Sequence, residues 1–350
     1  LMFFASDNSG PVPQAVLDVL AEVNQGHMMG YGADPMMDEV RQRIRDLFEA
    51  PDAAVYLAAT GTAANALALA TLIEPFDTVF CTPMAHIEED ECNAPEFYTG
   101  GAKLTLVHGS DRMTPEALTR AIESQGNRGV HGPRRGAVSI TQVTEVGNVY
   151  TLAELKALCD VAKSYDLPIH LDGARFANAA VALGCSPAEM TWKLGVDVAV
   201  FGGTKNGLMG VEAVVFFDPS KAWEFELRRK RGGHLFSKHR YLSAQMAAYL
   251  RDDLWKDLAQ KANAKTAQLL DGLRKRNDVE IVNDVTANMI FFRAPRALHQ
   301  TLQASGARYH VSGGDLANGP SEGLLTGRLV CDWSLPDTEI ARFVSLLNAA

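Results

Sequence analysis

The sequence predicts an α/β fold, a mostly parallel sheet covered by helices on both faces, followed by a small C-terminal α+β domain. Three observations carry this expectation. Short apolar runs alternate with helical stretches from residue 53 to residue 217, the pattern of parallel strands joined by helical crossovers. The runs at 53–58 and 196–201 read as buried strands that end abruptly in turn-forming residues. From residue 278 the order changes to several strands with two helices, which reads as an antiparallel sheet covered on one side. At 350 residues the chain has room for one large domain and a smaller one, divided at 1–250 and 251–350.

Taken in order, residues 3–10 form a loop of turn-forming residues, and Pro11 and Pro13 suit the start of a helix striped by Val16, Leu17, Leu20 and Val23. An irregular loop at 26–35 centres on Tyr31-Gly32-Ala33-Asp34, and a second amphipathic helix follows with Val40, Ile44, Leu47 and Phe48 on one face. Strand 53–58, the small-residue turn 59–65 and helix 66–73 open the α/β part. Strands at 78–81 and 104–107 precede a helix at 114–123, with Thr114 as N-cap and Pro115 in its first position. Strand 137–142, helix 151–165, strand 168–171, helices 176–183 and 187–193, and strands 196–201 and 211–217 complete it. Residues 223–276 read as helical. Strands 279–282, 288–292, 308–311 and 325–331, with helices 297–304 and 338–347, make the C-terminal domain.

Composition excludes several classes of function. With 47% apolar residues, 21% charged residues and a formal charge of −9, the chain has no basic footprint for nucleic acid or an anionic membrane. The cysteines Cys81, Cys92, Cys159, Cys185 and Cys331 are odd in number and lack C-x-x-C spacing. That argues against a disulfide framework or a metal site and points to a reducing cytoplasm. The longest apolar stretches, such as 63–73, are far short of a membrane span, and no charged-then-apolar leader opens the sequence.

Candidate chemistry gathers at the carboxyl ends of the strands, where open α/β sheets place their functional residues. Lys205 follows strand 196–201 and the pair Gly202-Gly203. A lysine in a glycine-rich loop is ordinarily a solvated surface group, but at a strand's end it can also be a nucleophilic amine. Asp172 closes an apolar strand, where a carboxylate is costly unless paired. The turn containing Gly61 and Thr62 fits either an ordinary N-capped helix start or a phosphate cradle of free backbone amides. Together the three match the needs of pyridoxal phosphate: an amine for the Schiff base, a carboxylate for the ring nitrogen and a helix N-terminus for the phosphate. The basic cluster Arg228, Arg229, Lys230, Arg231, Lys238 and Arg240 reads as a solvated face, or as a wall toward an anionic cofactor or a neighbouring subunit.

Seven motifs run in order along the chain: Phe4-Ala5-Ser6-Asp7-Asn8, Tyr31-Gly32, Gly61-Thr62-Ala63-Ala64-Asn65, Ala85-His86, Thr144-Glu145-Val146-Gly147, His170-Leu171-Asp172-Gly173-Ala174-Arg175 and Gly202-Gly203-Thr204-Lys205-Asn206-Gly207. This series resembles that of the low-specificity L-threonine aldolases. The resemblance implies a fold-type I enzyme with a mostly parallel seven-stranded sheet, using pyridoxal 5′-phosphate for retro-aldol cleavage of L-threonine, L-allo-threonine and related β-hydroxy-α-amino acids. It implies that Lys205 carries the Schiff base, Asp172 pairs with the ring nitrogen, Gly61, Thr62 and Thr204 hold the phosphate, and His86 stacks on the ring. It further implies that Ser6, Arg175 and Arg328 bind the substrate carboxylate, for which the arginine fork is suited. Tyr31 and Lys230 match positions that reach the site from a neighbouring subunit, so a dimer or tetramer with shared sites is expected.

Two positions depart from the family pattern. Glu145 stands where many relatives carry histidine, and Ala33 replaces an acidic residue after the Tyr-Gly pair. His86, with an ordinary pKa of ~6.5, is the candidate base for the substrate hydroxyl, and a water held by His86 and Glu145 fits equally. Other reactions on the same cofactor (β-elimination, transamination, racemisation) and a non-catalytic pyridoxal-phosphate binder are the competing expectations.

Overall fold

The computed structural model of the chain describes residues 1–349. It opens with the two-residue strand β1 (Met2–Phe3), then α1 (Gln14–Val23) and α2 (Pro35–Leu47). The α/β part starts with β2 (Ala54–Ala58), α3 (Gly61–Leu72), β3 (Asp77–Cys81), α4 (His86–Glu89), α5 (Ala94–Thr99), β4 (Lys103–Leu106) and α6 (Pro115–Ser124). It continues with β5 (Arg134–Thr141), α7 (Leu152–Ser164), β6 (Ile169–Asp172), α8 (Phe176–Leu183), β7 (Val198–Gly202) and β8 (Glu212–Phe216). Helices α9 (Ala222–Arg231), α10 (Arg240–Leu250) and α11 (Leu254–Leu273) lead to β9 (Glu280–Ile281) and β10 (Met289–Pro295). The chain closes with α12 (Arg296–Ala304), β11 (Ala307–Arg308), β12 (His310–Ser312), β13 (Leu324–Val330) and α13 (Asp337–Ala349).

The main sheet has seven strands in the order β2-β8-β7-β6-β5-β3-β4. Its pairs are parallel except those of β8, which runs antiparallel to both β7 and β2. The reason is local. A helical crossover separates each parallel strand from the next, whereas β7 and β8 are joined by a short loop that can connect only antiparallel neighbours. The ends of β5, β6 and β7 therefore share one edge with the start of β8, and the last rung of the β7–β8 ladder sets Gly202 opposite Glu212. A second sheet, β12-β13-β10-β9, is antiparallel, as the C-terminal sequence predicts.

Several elements differ from the sequence expectation, among them the short helices α4 and α5, which it does not contain. The helix expected at 66–73 begins at Gly61, because the Thr60 side chain accepts the Ala63 amide at 3.1 Å and draws the turn into the first helical turn. The helix expected at 187–193 shrinks to a 3-10 turn at Trp192–Leu194. The strand expected at 308–311 is split, with β11 pairing in parallel to β1 and β12 pairing antiparallel to β13. β1 itself lies in what reads as a loop; a two-residue strand has no periodicity, and its partner β11 alone defines it.

Among the described residues four apolar clusters support this frame, and the two largest hold elements that build the site. Under the main sheet, the Phe201 ring of β7 lies 5.8 Å from Phe48, 5.3 Å from Phe176, 5.5 Å from Tyr249 and 5.8 Å from Trp255. The second core, around β10, β13 and α13, also takes Met2 and Phe4 from the start of the chain and Leu269, Leu270 and Leu273 from α11. The Val330 amide donates to the Phe4 carbonyl at 2.9 Å. That tether fixes the N-terminal segment between the two cores and delivers Asp7 and Asn8 to the sheet edge. Phe201→Ala should lower the free energy of unfolding by about 3–5 kcal/mol, measured by urea titration; a loss under about 1 kcal/mol contradicts this packing.

Candidate active site

A cavity of about 370 Å³ opens at the carboxyl edge of the main sheet, lined by the start of α3, by His86, by the segment after β5, by Asp172 and by the Lys205 turn. Its floor is Asp172, the last residue of β6, which is almost wholly buried. An ionised carboxylate here must replace its lost hydration with hydrogen bonds. Asp172 Oδ2 accepts from Asn65 Nδ2 at 2.9 Å and Oδ1 accepts from the Ala174 amide at 3.0 Å.

The Asn65 amide is shared. Its Nδ2 also donates to Glu91 Oε1 at 2.9 Å, and that oxygen lies 2.8 Å from His86 Nδ1. A continuous polar chain thus runs His86–Glu91–Asn65–Asp172 beneath the cavity. The hydrogen bond to Glu91, ahead of the opposing effect of burial, raises the His86 pKa above the ordinary histidine value. The His86 backbone amide donates to Glu145 Oε1 at 2.8 Å, while Glu145 Oε2 is buried without a partner among the described residues. Burial, and then the charge of Asp172, pushes the Glu145 carboxyl up to about 7.

Lys205 is carried by a 3-10 turn, Thr204–Asn206, directly after β7. Its pKa lies below the ordinary lysine value, first through the charge of Arg175 and then through burial. Both effects enrich the neutral, nucleophilic amine. Arg175 is itself clamped, with Nε and Nη2 donating to Asp7 at 2.7 and 3.0 Å. Burial alone would push Asp7 up, but the charges of Arg175 and Lys205 outweigh it and hold its carboxyl below the usual range.

This donor set fits pyridoxal phosphate. A Cβ placed at Gly61 would meet nothing within 4 Å, so the space against the start of α3 is open where the first-turn amides lack intrahelical acceptors. Gly61, Thr62 and Thr204 line that space, Asp172 lies under it and Lys205 faces the same cavity. The model of the beta-eliminating lyase family matches residues 4–295. The chain belongs to that family. It is 41% identical over 342 residues to the low-specificity L-threonine aldolase of Pseudomonas aeruginosa, spanning 97% of this chain and 94% of that protein. Identity to the protein of the same name from Pseudomonas sp. is also 41%, over 346 residues, with 97% and 94% covered. A solved threonine aldolase from Leishmania major superposes with a TM-score of 0.91 at 26% identity, covering 99% of this chain and 98% of that one. The expected fold-type I architecture is the one found.

Eight of the residues singled out in the sequence line this single cavity: Gly61, Thr62, His86, Glu145, Asp172, Arg175, Thr204 and Lys205. Ser6 and Arg328 do not line it. The Ser6 hydroxyl accepts the Asn8 amide at 3.1 Å, and Arg328 on β13 donates to the Ala5 carbonyl at 3.0 Å with its Nε buried and unpartnered among the described residues. Tyr31 and Lys230 lie outside the cavity and against each other, the ammonium 4.8 Å from the ring centroid. Within the basic cluster, Arg229 is not solvated: it is buried, stacks 5.0 Å over the Tyr56 ring and donates to the Leu57 carbonyl at 3.1 Å.

Sequence reasoning missed Glu91, the linking role of Asn65, and Glu212, whose Oε2 accepts the Gly203 amide at 2.7 Å. Glu212 had a usable signal, being the one acidic residue in the apolar run 211–217; Glu91, in a polar segment, had none.

The Glu145 carboxyl binds its proton more tightly folded, at about 7, than unfolded, at the ordinary 4.5. Its contribution is therefore intact below the unfolded value, is lost as pH rises through this window, and is level above it. Glu145→Gln should accordingly lose less stability than the wild type between pH 5 and pH 8, by at most about 3 kcal/mol. Parallel urea-unfolding profiles for the two proteins across that range contradict the assignment.

Proposed function

We propose that this chain is a pyridoxal-phosphate-dependent low-specificity L-threonine aldolase, cleaving L-threonine, L-allo-threonine and related β-hydroxy-α-amino acids to glycine and an aldehyde. The observation that carries this reading is Glu145: a proton-accepting carboxyl oxygen, buried and unpartnered, in the same cavity as Lys205 and Asp172. The names of the two Pseudomonas relatives and the Leishmania major structure support it.

Pyridoxal phosphate, when bound, supplies a sink for the electron pair left by the breaking Cα–Cβ bond. Gly61, Thr62 and Thr204 would hold its phosphate, Asp172 its ring nitrogen, His86 one ring face and Lys205 its aldehyde carbon. The substrate carboxylate falls to the arginines. Arg175 Nη1 is not used by the Asp7 clamp, and Arg328 presents a buried Nε that an anion would satisfy. Ser6 lies in the same N-terminal segment as Asp7 and Asn8 and would complete this end.

At the other end a base must take the β-hydroxyl proton. His86 is poorly suited, because Glu91 favours its protonated form. Glu145 is well suited, since a general base works best with a pKa near the operating pH. Its free oxygen takes the hydroxyl proton as the Cα–Cβ bond breaks and the β-carbon leaves as an aldehyde; a proton added at Cα completes glycine. His86, whose proton affinity Glu91 raises, lies beside the substrate oxygen and orients it.

Tyr31 and Lys230, paired outside the chain's own cavity, would serve the site of a second copy, so we propose a homodimer or homotetramer with shared sites. The cysteines are unpaired, which suits the reducing cytoplasm. Among the described residues no helix is long and apolar enough to cross a membrane.

Purified protein supplied with pyridoxal phosphate and L-threonine or β-phenylserine should release acetaldehyde or benzaldehyde together with glycine. Release of pyruvate or ammonia without aldehyde overturns the proposal. The kcat/KM of the wild type should rise with pH through a midpoint near 7. Glu145→Gln should abolish that limb and lower kcat by about 10²–10⁴-fold; unchanged turnover removes Glu145 as the base.

A further inference from the structure

We propose that Glu212 is a positioning residue for Lys205: its carboxylate caps the turn that presents the amine, and its charge adds to the hold that amine has on its proton. The inference rests on the reaction proposed above and extends it to a residue which that reaction does not use.

Glu212 has no structural reason to be acidic. It begins β8, whose five residues are buried and otherwise apolar, and it lines the cavity while itself only 5% exposed. A carboxylate in such a strand is costly unless a specific arrangement stabilises it. The arrangement is the Lys205 turn. Because β8 returns antiparallel to β7, Glu212 stands opposite Gly202, the last residue of β7. Its Oε2 accepts the Gly203 amide at 2.7 Å. The Thr204 Oγ accepts the Val211 amide at 3.1 Å. The two ends of the loop between β7 and β8, residues 203–204 just before Lys205 and residues 211–212, are thus tied to one another.

The Gly203 amide is neutral, so it positions the carboxylate without balancing its charge. Five charged or titratable groups act on Lys205: Arg175 from the segment after β6, Asp7 from the N-terminal segment, Asp172 from β6, Glu212 from β8 and His86 from the start of α4. Asp7 is taken by the two-point clamp of Arg175 and by Asn288, whose Nδ2 donates to it at 3.0 Å. Asp172 is held by Asn65 and Ala174 and, in the proposed reaction, faces the cofactor ring. Glu212 has Lys205 as its cationic neighbour. When the amine gives up its charge, the buried carboxyl loses what favours its ionised form and takes up a proton. When the amine is charged again, the proton leaves. The pair stays near neutral as a unit, in keeping with a carboxyl that burial pushes up to about 7. Lys205 can then shed and regain its proton without stranding a net charge in the cavity.

The test uses the full-length protein without added cofactor. The rate at which Lys205 is acetylated by acetic anhydride, followed by mass spectrometry of its peptide across pH, reports the amine's proton affinity. Glu212→Gln keeps an oxygen for the Gly203 amide but removes the charge. It should move the Lys205 midpoint to lower pH, so that acetylation at a fixed pH on the rising limb is about tenfold faster, whereas Glu212→Asp should stay close to wild type. A Glu212→Gln profile that overlays the wild type while Glu212→Ala moves reduces Glu212 to a cap and overturns the proposal. Should Glu212→Gln not fold, Lys205→Gln gives the reciprocal readout. The Glu212 titration, seen in the pH dependence of urea unfolding, should then shift to higher pH, and no shift also overturns it. No turnover is required, so failure of the aldolase assay leaves this result readable on its own.

Discussion

A carboxylate taken out of water at the end of an apolar strand has to recover its hydration from the protein, and Asp172 does so with two neutral donors, Asn65 Nδ2 and the Ala174 amide. Neutral donors stabilise the charge without cancelling it. The field of Asp172 is therefore left to act on its surroundings: it raises the proton affinity of His86, Glu91 and Glu145. Asn65 gives one face of its amide to Asp172 and extends the same contact through Glu91 to His86. The arrangement of the cavity follows from that buried charge.

Sheet topology decides which groups feel it. The parallel strands β5 and β6 end together, bringing Asp172 beside the segment that carries Glu145. The reversal at β8 adds Glu212 to the same edge, opposite the end of β7. Two glutamates with carboxyls near 7 therefore flank the cavity from different elements. Burial is the main cause of both shifts, and the two differ in their partners: Glu145 has an oxygen with none, while Glu212 is bound into the Lys205 turn. That difference underlies the two roles proposed for them, a base for Glu145 and a positioning group for Glu212.

Much of the fold was legible because it rests on patterns that sequence carries directly. The apolar runs ending at Asp172 and before Lys205, and the N-cap Thr114, are local signals. Elements defined by a distant partner were not: β1 exists through β11, and the split of 308–311 reflects two sheets competing for one segment. The site divides the same way. Lys205, Asp172 and Gly61 announce themselves through turn chemistry and position, and Glu145 through its departure from a family pattern. Glu91 reaches Asn65 and His86 only because α4 and the start of α3 pack over one end of the sheet, a proximity that no spacing in the sequence encodes. Tyr31 and Lys230 were expected to reach a neighbouring subunit's site, and in the single chain they meet each other and not the cavity.

The central claim is that the amine held at the end of β7, and no other, bonds the cofactor. Its most direct measurement is borohydride reduction of the protein incubated with pyridoxal phosphate, followed by peptide mapping of the fixed label. The structure predicts one label per chain, on Lys205, absent in Lys205→Ala. A label spread over surface lysines, or one that persists in that variant, would contradict it.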